Sequence, residues 1–480
     1  MAGFNQVFVK FHKDNLCYYT RMYTIDFNKP VHVHFIGIGG ISMSGLAEIL
    51  LNAGFFVSGS DRAVSELTGK LEGEGAKIYY GQRAGNITDD TDLVVYTAAI
   101  KADNPEYAAA AEKNIPMLTR AELLGQIMKN YKTSIAVSGT HGKTTTTSML
   151  TSILLAADAD PTVSVGGMLP SIGGNIRIGN SECFVTEACE YTNSFLSFFP
   201  TISIILNVDA DHLDFFKDID DIRHSFTKFA DLLPENGLLV INSDIDKYEE
   251  ITKNVKCKVV TFSIDGKADV TAASITYDNK GCASFDVMEN GETAAHISLL
   301  VPGVHNVSNA LAAIAVSRHL GIPVTAVSEG LSAFGGTDRR FQYKGSIGEV
   351  TIIDDYAHHP TEIAATLAAA ANYPHKKLRV VFQPHTYSRT KALFDEFVNA
   401  LSAADEVVLA DIYAARETDD LGVSSEGLCE AIKNHGTSAV YFGSFDEIEN
   451  YLLQNCSPGD LLITMGAGDI VKVADSLLGN

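Results

Sequence analysis

Apolar residues along this chain come in short runs separated by amphipathic stretches, an alternation typical of parallel β-α-β units. The run VHVHFIG at 31–37 predicts a buried strand, and GISMSGLAEILLNAG at 40–54 predicts a helix that ends at Gly54. The apolar run FFVSGSD at 55–61 predicts the next strand, and a second α/β unit begins with TSIAVSG at 133–139. The chain therefore starts as two successive α/β units.

The pattern changes in the middle of the chain and returns towards its end. Residues 257–301 hold short alternating runs with the turn signals DNKG and ENGE, which predict antiparallel hairpins. A helix is predicted over 305–321, where Gly321 and Pro323 end it. A third α/β unit follows, with strands predicted at 350–355, 377–383, 406–412, 439–443 and 460–466.

Three domains are expected from these changes and from the length. We place an N-terminal domain at 22–130, a central domain at 131–338 and a C-terminal domain at 339–480. A chain of 480 residues fits this number at about 150 residues per domain. Residues 1–21 lack the apolar segment and cleavage site of a secretory signal. We expect them to be a dispensable extension before Met22, the alternative being an edge element packed on the first domain.

Composition and charge exclude several classes of protein. The chain is 46% hydrophobic and 20% charged, an ordinary globular balance. No run of about 18 apolar residues predicts a membrane-spanning helix, so no membrane insertion is expected. Lys and Arg number 36 against 59 Asp and Glu, a net charge of -23, so nucleic acid is not an expected partner. Seven cysteines without a CxxC pair indicate reduced thiols in a cytoplasmic protein.

The first glycine cluster follows a predicted strand and opens a helix. Gly37, Gly39 and Gly40 would let a diphosphate approach backbone N–H groups at the helix start, with Ser42 beside them. Asp61 ends the next strand, where a carboxylate can bind a ribose hydroxyl. The pattern resembles a dinucleotide fingerprint with Ser42 in place of its third glycine. The alternative is a tight turn without a ligand.

A second phosphate loop, GTHGKTT, lies between a strand and a helix. The residue five before its second glycine is valine, so it is a shorter form of the Walker A pattern. Its backbone amides would hold the β- and γ-phosphates of ATP, while Lys143 neutralises them and Thr144 reaches Mg²⁺. The expected ATP-binding loop comprises Gly139, Thr140, His141, Gly142, Lys143, Thr144 and Thr145.

An acid and a histidine follow later strands of the second unit. Glu187 ends CFVTEA, and His212 lies in DADHLD just after TISIILNV. The carboxyl ends of parallel strands meet at one sheet edge, where the phosphate loop also lies. Glu187 and His212 could therefore hold Mg²⁺ against ATP phosphates, although histidine is an unusual Mg²⁺ ligand. The alternative for His212 is a surface loop residue.

Eight segments together resemble the Mur ligase family, over nearly the whole chain from about Met22. In chain order they are GIGGISMSG, GTHGKTTT, EACEYTNSFL, DADHLD, PGVHNVSNALAA, RRFQ, DDYAHHPTEI and QPHTYSRT. The resemblance implies an α/β protein with a Rossmann-like N-terminal domain for a UDP substrate. It also implies a P-loop-type central ATPase domain with antiparallel hairpins and a Rossmann-like C-terminal domain for an amino acid.

The implied reaction joins L-alanine to the carboxylate of UDP-N-acetylmuramate through an acyl phosphate, with ATP and Mg²⁺, in cytoplasmic peptidoglycan precursor synthesis. The protein would be a monomer or a weak homodimer. The resemblance also implies site roles. The Gly37–Gly40 loop would hold the UDP diphosphate, and Glu187 and His212 would each bind a magnesium ion. His305 and Asn309 would contact adenine, Arg340 the ATP phosphates, and Tyr356, His358, His385 and Arg389 the L-alanine carboxylate and the reacting centre.

The chain departs from the common family pattern at three positions. Cys189 and Tyr191 replace Asp and Ser in the motif after the Glu187 strand, and Thr386 stands where arginine is usual. The last change removes one expected carboxylate or phosphate contact. Residues 219–227 contain no lysine for the carbamylation that several sister ligases use, which matches the alanine-adding branch.

Three other functions are left open by these patterns. The first loop alone would fit a nicotinamide dehydrogenase, and the whole set would fit a sister ligase that takes a murein tripeptide or a regulatory ATP-binding protein. Local structural roles are also open: a helix cap for His305 and Asn309, loop positions for His358 and His359, and a solvated hinge for Arg339 and Arg340. Arg389 could pair with Asp395 or Glu396 instead of a substrate.

Overall fold

A computed structural model describes residues 23–418 and 420–479 of the chain. Three sheets, each flanked in sequence by helices, make this part of the protein a mixed α/β structure. None of the helices in these ranges is both long and apolar enough to cross a lipid bilayer. The expected extension at 1–21 lies outside the described residues.

The chain divides into two compact units. One contains the described residues up to Ser134 together with Ser197–Pro200, and the other contains Ile135–Leu196 and the residues from Thr201 onwards. The second unit therefore holds both the central and the C-terminal sheet.

The first unit contains a five-stranded parallel sheet. The predicted strands at 31–37 and 55–61 and the helix between them are confirmed, and Val33 and Phe35 are fully buried, as in other parallel strands. An additional edge strand, KIYY, has no fully buried residue, so its apolar pattern is too weak to predict it. The elements are β1 His32–Ile36, α1 Ile41–Asn52, β2 Phe56–Asp61, α2 Glu66–Gly73, β3 Lys77–Tyr80, β4 Leu93–Tyr96, α3 Pro105–Glu112, β5 Met117–Thr119 and α4 Arg120–Met128, with strand order β3-β2-β1-β4-β5.

The central sheet has ten strands, and α5, α8 and α9 contribute buried residues to its main apolar core. Its elements are β6 Thr133–Ser138, α5 Lys143–Ala156, β7 Thr162–Leu169, β8 Gly174–Arg177, β9 Cys183–Ala188, β10 Ile202–Ile205, α6 Ile219–Ala230, β11 Leu238–Asn242, α7 Tyr248–Thr252, β12 Lys258–Ser263, β13 Val270–Tyr277, β14 Cys282–Glu289, β15 Glu292–Pro302, α8 Val304–His319 and α9 Val324–Ala333. The strand order is β15-β14-β13-β12-β11-β10-β6-β9-β7-β8.

The expected hairpins at 257–301 are confirmed only in part. Strands β13, β14 and β15 pair antiparallel, as their turn signals predict. Strand β12 instead pairs parallel with β11 and β13, so it continues the parallel part of the sheet. The helix α7 lies between β11 and β12 in sequence, which is the crossover that a parallel pair requires.

The C-terminal sheet has six strands, and all five strands predicted there are confirmed. Strand β16 was not predicted; it forms an antiparallel hairpin with β17 at the edge of the sheet. The elements are β16 Gln342–Ile347, β17 Val350–Asp355, α10 Pro360–Ala371, β18 Leu378–Phe382, α11 Tyr387–Ala392, α12 Phe394–Leu401, β19 Glu406–Leu409, α13 Ser425–His435, β20 Ser438–Tyr441, α14 Phe445–Asn455, β21 Leu461–Met465 and α15 Val471–Leu478, with strand order β16-β17-β21-β18-β19-β20.

Candidate active site

The second phosphate loop joins β6 to α5 and requires glycine at two positions. Gly139 and Gly142 have φ angles of 141° and 83°, a region that residues with a Cβ rarely adopt. A Cβ on Gly142 would also lie 2.6 Å from Oδ1 of Asn309. A residue with a side chain at position 142 would therefore prevent the loop backbone from lying this close to α8.

Residues that follow β10 hold this loop in place. The backbone N–H of His141 donates to Oδ1 of Asn207 over 2.7 Å, and Nδ2 of Asn207 donates back to the His141 carbonyl over 3.0 Å. The N–H of Asp209 donates to the Thr140 hydroxyl over 2.9 Å. The loop is thus preorganised by hydrogen bonds within the protein, and Asn207 is a supporting residue that the sequence did not single out.

Lys143 lies at the start of α5 and is paired with a buried acid. Its Nζ lies 3.0 Å from Oε2 of Glu190 and donates to the Thr140 carbonyl over the same distance. Burial lowers the pKa of Lys143, but Glu190 and neighbouring groups outweigh it and raise that pKa overall. Glu190 was not predicted as a site residue, although an acid two residues beyond the end of β9 is a signal that could have found it.

Two of the three predicted metal ligands, Glu187 and His212, lie on either side of Glu190 in sequence, and the third, Thr144, is the second residue of α5. Glu187, in β9, accepts the backbone N–H of Gly166 in β7. His212 has a φ of 54°, a strained conformation of the kind found at functional sites, and its Nε2 lies 3.9 Å from Oε1 of Glu190. Burial lowers the pKa of His212, so its imidazole is neutral at pH 7. Oε1 of Glu190 is buried and accepts no hydrogen bond from the described residues.

A cavity of about 260 Å³ lies beside the phosphate loop. Burial, followed by the charge of Arg340, lowers the pKa of His305 to about 4, so a neutral ring faces the cavity. Asn306 also lines the cavity, although the sequence did not single it out. Its Oδ1 accepts a hydrogen bond from Nδ2 of Asn309 over 3.1 Å. The predicted ATP-site residues that line this one cavity are His141, Gly142, Thr145, His305, Asn309 and Arg340.

Several of the alternative structural roles can be compared with the geometry. No side chain caps the N-terminus of α8, so His305 and Asn309 are not its caps. His359 does have a structural role: its Nδ1 accepts the N–H of Thr361 at the start of α10. The two adjacent arginines differ, because Arg339 is tied to Asp354 at 3.0 Å whereas Arg340 lines the cavity.

His141 lies between two carboxylates. Its ring nitrogens are 3.4 Å from Oδ2 of Asp209 and 3.3 Å from Oε1 of Glu362. Burial lowers the pKa of His141, but the two carboxylates dominate and raise it to about 9. Arg340 lies 3.6 Å from the same Glu362 oxygen. Glu362 lies in the first turn of α10. It therefore contacts His141 of the phosphate loop and Arg340 with the same carboxylate oxygen.

The four residues predicted for the amino acid lie next to one another. The ring centroids of Tyr356 and His358 are 5.4 Å apart, and those of His358 and His385 are 5.8 Å apart. Burial lowers the pKa of both histidines to about 4. His385 and Arg389 line a cleft of about 610 Å³ that follows β18 and β19. Nη1 of Arg389 donates to Nδ1 of His385 over 3.3 Å.

Arg389 is engaged by an acid that the sequence did not suggest. Its Nη2 and Nε lie 2.9 Å and 3.2 Å from Oδ1 of Asp211, in the segment after β10. Asp395 and Glu396, the acids considered for it from the sequence, are not its partners in the described ion pairs. Burial raises the pKa of Asp211, but Arg389, His212 and His359 together outweigh it and hold that pKa well below its ordinary value.

The first glycine loop belongs to the other compact unit. The N–H of Gly39 donates to Oδ2 of Asp61 over 2.8 Å, and Gly37 has a φ of 84°. One oxygen of Asp61 is thus bound to the loop itself. Nη1 of Arg120 donates to the Ser42 hydroxyl over 3.1 Å, which places a cation beside the loop that the sequence did not indicate. Gly40, the N-cap of α1, completes the expected set.

A preorganised phosphate loop that opens onto a cavity, with a second cleft lined by acidic and basic side chains in the same unit, is the arrangement expected of a nucleotide-dependent α/β enzyme. Three family models match the chain: the Mur ligase family catalytic domain at residues 32–132, the Mur ligase middle domain at 137–317, and the Mur ligase glutamate ligase domain at 339–468. The chain belongs to the Mur ligase family.

Relatives and solved structures agree with this assignment. UDP-N-acetylmuramate–L-alanine ligase from Lachnospira eligens is 63% identical over 95% of this chain and its own full length. The ligase of the same name from Agathobacter rectalis is 61% identical, with the same coverage. The crystal structure of UDP-N-acetylmuramate–alanine ligase from Thermotoga maritima matches 93% of this chain and 98% of its own, with a TM-score of 0.77 and 32% identity. A murein peptide ligase from Psychrobacter arcticus matches with a TM-score of 0.68 and 26% identity, over 94% of this chain and 98% of its own.

Proposed function

We propose that this protein is an ATP-dependent ligase that joins L-alanine to the carboxylate of UDP-N-acetylmuramate in peptidoglycan precursor synthesis. The observation that carries the proposal is the junction at residues 207–212. Asn207 and Asp209 hold the phosphate loop, while Asp211 and His212 line the amino-acid cleft. A phosphorylated intermediate formed at the loop would therefore stand next to the acceptor. The high identity to ligases of this name supports the choice of substrates.

The first chemical step would form an acyl phosphate. A carboxylate oxygen of UDP-N-acetylmuramate attacks the γ-phosphorus of ATP, the new O–P bond forms, and the bond to the β-phosphate oxygen breaks to release ADP. Lys143 and Arg340 supply positive charge where negative charge spreads over the phosphoryl oxygens. Backbone amides of the loop that begins at Gly139 position the phosphates.

The second step would form the amide. The ammonium group of L-alanine first loses a proton to solvent. The resulting amine attacks the acyl carbon, the C–O bond to phosphate breaks, and the surplus proton on the nitrogen leaves with the phosphate. We assign Tyr356, His358, His385 and Arg389 to the amino-acid side of this centre. The imidazoles of His358 and His385 are neutral at pH 7, so they do not repel the ammonium form of the incoming amino acid. The acyl phosphate must be kept from water, as burial of this centre would do.

Magnesium is the expected metal, and the residues present fit it. Glu190 offers a buried oxygen that has no hydrogen bond within the described part of the chain and that faces the neutral His212. Within the described ranges no three acid, histidine or cysteine side chains converge as a complete metal site. We therefore assign Thr144, Glu187 and His212 as ligands, with ATP phosphates and water completing the shell, as is usual for Mg²⁺. When bound, the ion would neutralise phosphate charge.

The UDP end is assigned to the first unit. Gly37, Gly39 and Gly40 would present backbone N–H groups to the diphosphate at the start of α1, with Ser42 and Asp61 at the edges of the site. The domain limits at 22–130, 131–338 and 339–480 remain our assignment. A cytoplasmic monomer or weak homodimer fits the reduced cysteines and the substrates.

Phosphate release from ATP tests the proposal. Release should require both UDP-N-acetylmuramate and L-alanine for full turnover, and Lys143→Ala should abolish it. Release that requires a free murein tripeptide instead of L-alanine would favour the sister ligase. ATP binding without substrate-dependent release would favour a regulatory protein, and NAD-linked oxidation without ATP use would favour a dehydrogenase. The proposal would be refuted by any of these three results.

A further inference from the structure

The amino-acid cleft is lined by five aspartate, glutamate and arginine side chains. They come from the segment after β10 and from the residues that follow β18 and β19, the strand ends where a doubly wound sheet places its ligands. His212 and His385 also line the cleft, and burial lowers the pKa of each, so neither carries charge at pH 7. The ionised lining residues among those described are Asp211, Asp214, Arg389, Arg416 and Glu417.

Two of the three carboxylates are neutralised or bound by side chains. Asp211 accepts both Nη2 and Nε of Arg389 on one oxygen. Asp214 accepts the hydroxyl of Tyr191 over 2.7 Å. The guanidinium of Arg389 therefore has a built-in counter-ion, and a substrate carboxylate that approached it would meet Asp211 as well.

The third carboxylate, Glu417, is bound to the start of α11. It accepts the backbone N–H groups of Tyr387 over 2.6 Å and Ser388 over 3.1 Å, together with the hydroxyl of Ser388. Its charge is thus used to fix the loop after β19 against the segment after β18.

Arg416 is the remaining ion in the cleft. It is exposed, and within the described parts of the chain it has neither an ion pair nor a hydrogen bond to another residue. The loop that carries it is nevertheless well anchored. Glu417 is bound as described, the N–H of Thr386 donates to the Tyr413 carbonyl over 2.9 Å, and the N–H of Tyr413 donates to the Pro384 carbonyl over 2.8 Å. Arg416 is therefore a cation without an ion pair among the described residues, on an anchored loop that lines the same cleft as His385 and Arg389.

We propose that Arg416 binds the carboxylate of the amino-acid substrate, and that Arg389, held by Asp211, shapes the cleft beside it. A guanidinium can grip a carboxylate with two parallel hydrogen bonds. In a protein of net charge -23, an anionic substrate needs a local cation that is not already held in an ion pair. This inference rests on the proposed function for the identity of the substrate and adds the residue that recognises it.

The test compares Arg416→Ala and Arg416→Lys with the wild type in steady-state kinetics, with L-alanine or L-alaninamide as acceptor. Arg416→Ala should lower kcat/KM for L-alanine at least about tenfold, through KM, because a charge-assisted hydrogen bond is lost. The KM values for ATP and UDP-N-acetylmuramate should be unchanged, the preference for L-alanine over its amide should fall by the same factor, and Arg416→Lys should lie between. Arg318→Ala removes the same charge from the surface of α8 and should behave as wild type.

Two results would overturn the assignment of Arg416. One is an Arg416→Ala variant with an unchanged KM for L-alanine, and the other is a rise in the KM for UDP-N-acetylmuramate with the L-alanine KM unchanged. A thermal melt of each variant checks folding, which should be nearly unaffected since Arg416 is exposed and has no ion pair or hydrogen bond to another of the described residues. Failure of the proposed function looks different, because the wild type would then release no phosphate in response to L-alanine.

Discussion

Nζ of Lys143 lies 3.0 Å from Oε2 of Glu190, and Glu190 is only 2% exposed. The lysine that would hold ATP phosphates is thus neutralised by the protein itself. Arriving phosphates would take over this role from Glu190. The oxygen Oε1 of the same residue already faces His212 and has no hydrogen bond from the described residues, so a carboxylate released by Lys143 is placed next to the histidine that we propose as a metal ligand.

Glu190→Gln should destabilise the free protein by about 3 kcal/mol, because it leaves the Lys143 charge buried without a partner. A non-hydrolysable ATP analogue should restore much of that loss, since its phosphates supply the missing negative charge. Thermal melting with and without the analogue measures both effects. The increase in Tm on binding should be larger in the variant than in the wild type.

Glu292→Gln serves as the control, because this substitution removes the same charge from an exposed position. The double variant Lys143→Ala, Glu190→Gln should regain stability relative to Glu190→Gln but release no phosphate. Equal melting temperatures for Glu190→Gln and the wild type would show that the ion pair has no energetic role.

The two glycine loops can be separated by a pair of substitutions. Gly142→Ala places a Cβ 2.6 Å from Oδ1 of Asn309 and should raise the KM for ATP. Gly39→Val places its Cβ 2.8 Å from Oδ2 of Asp61 and should raise the KM for UDP-N-acetylmuramate. Each change should be about 5-fold to 150-fold, since strain and steric conflict at such positions cost about 1–3 kcal/mol. Steady-state kinetics with each substrate varied in turn measure both.

Gly69→Ala is the matched control for these variants. Gly69 lies in α2, and a Cβ there would meet no atom within 4 Å. Both KM values should be unchanged in this variant. If Gly39→Val changed only the KM for ATP, the two loops would be assigned the wrong way round.

The pKa values of two histidines at the site, His141 and His305, should be shifted in opposite directions. His141, with its pKa raised to about 9, should stay protonated at pH 7.5, whereas His305, with its pKa lowered to about 4, should be neutral. The stabilising contribution of His141 is complete below its unfolded pKa of about 6.5 and is lost as the pH rises through 9. The contribution of His305 to stability is present above its unfolded pKa of about 6.5. It is lost as the pH falls towards its folded pKa of about 4.

Nuclear magnetic resonance of isotopically labelled histidine measures these pKa values directly. Glu362→Gln should lower the pKa of His141, because it removes one of the two flanking carboxylates. Glu292→Gln should leave it unchanged. A pKa of His141 near 6.5 in the wild type would contradict the described arrangement.

Most of the fold could be predicted from the sequence because buried parallel strands are continuous apolar runs. The strands around Phe35 and Val380 were located in this way, and the Gly-rich turns marked the helix starts. Edge strands were missed because they lack that signal: β3 and β16 are partly exposed, and their side chains mix polar and apolar residues. The antiparallel pairing predicted for β12 was wrong, because the alternation of apolar residues does not indicate the direction in which a strand runs.

The candidate site could be located from the strand ends and from the family resemblance. The ion pairs between its side chains could not be predicted in this way. Glu190 pairs with Lys143 from 47 residues away, and Asp211 pairs with Arg389 from 178 residues away. Nothing in local sequence encodes such contacts, since the first depends on which strands become neighbours in the central sheet and the second joins segments that follow strands of two different sheets. The acids nearest in sequence to Arg389, Asp395 and Glu396, were therefore the wrong candidates.

The central claim is that this chain activates a carboxylate as an acyl phosphate before L-alanine attacks it. UDP-N-acetylmuramate labelled with ¹⁸O in both carboxylate oxygens tests this most directly, with mass spectrometry of the phosphate released during ligation. The account predicts that each phosphate carries one ¹⁸O atom and that the amide product keeps the other. Phosphate without ¹⁸O, released together with amide formation, would contradict it.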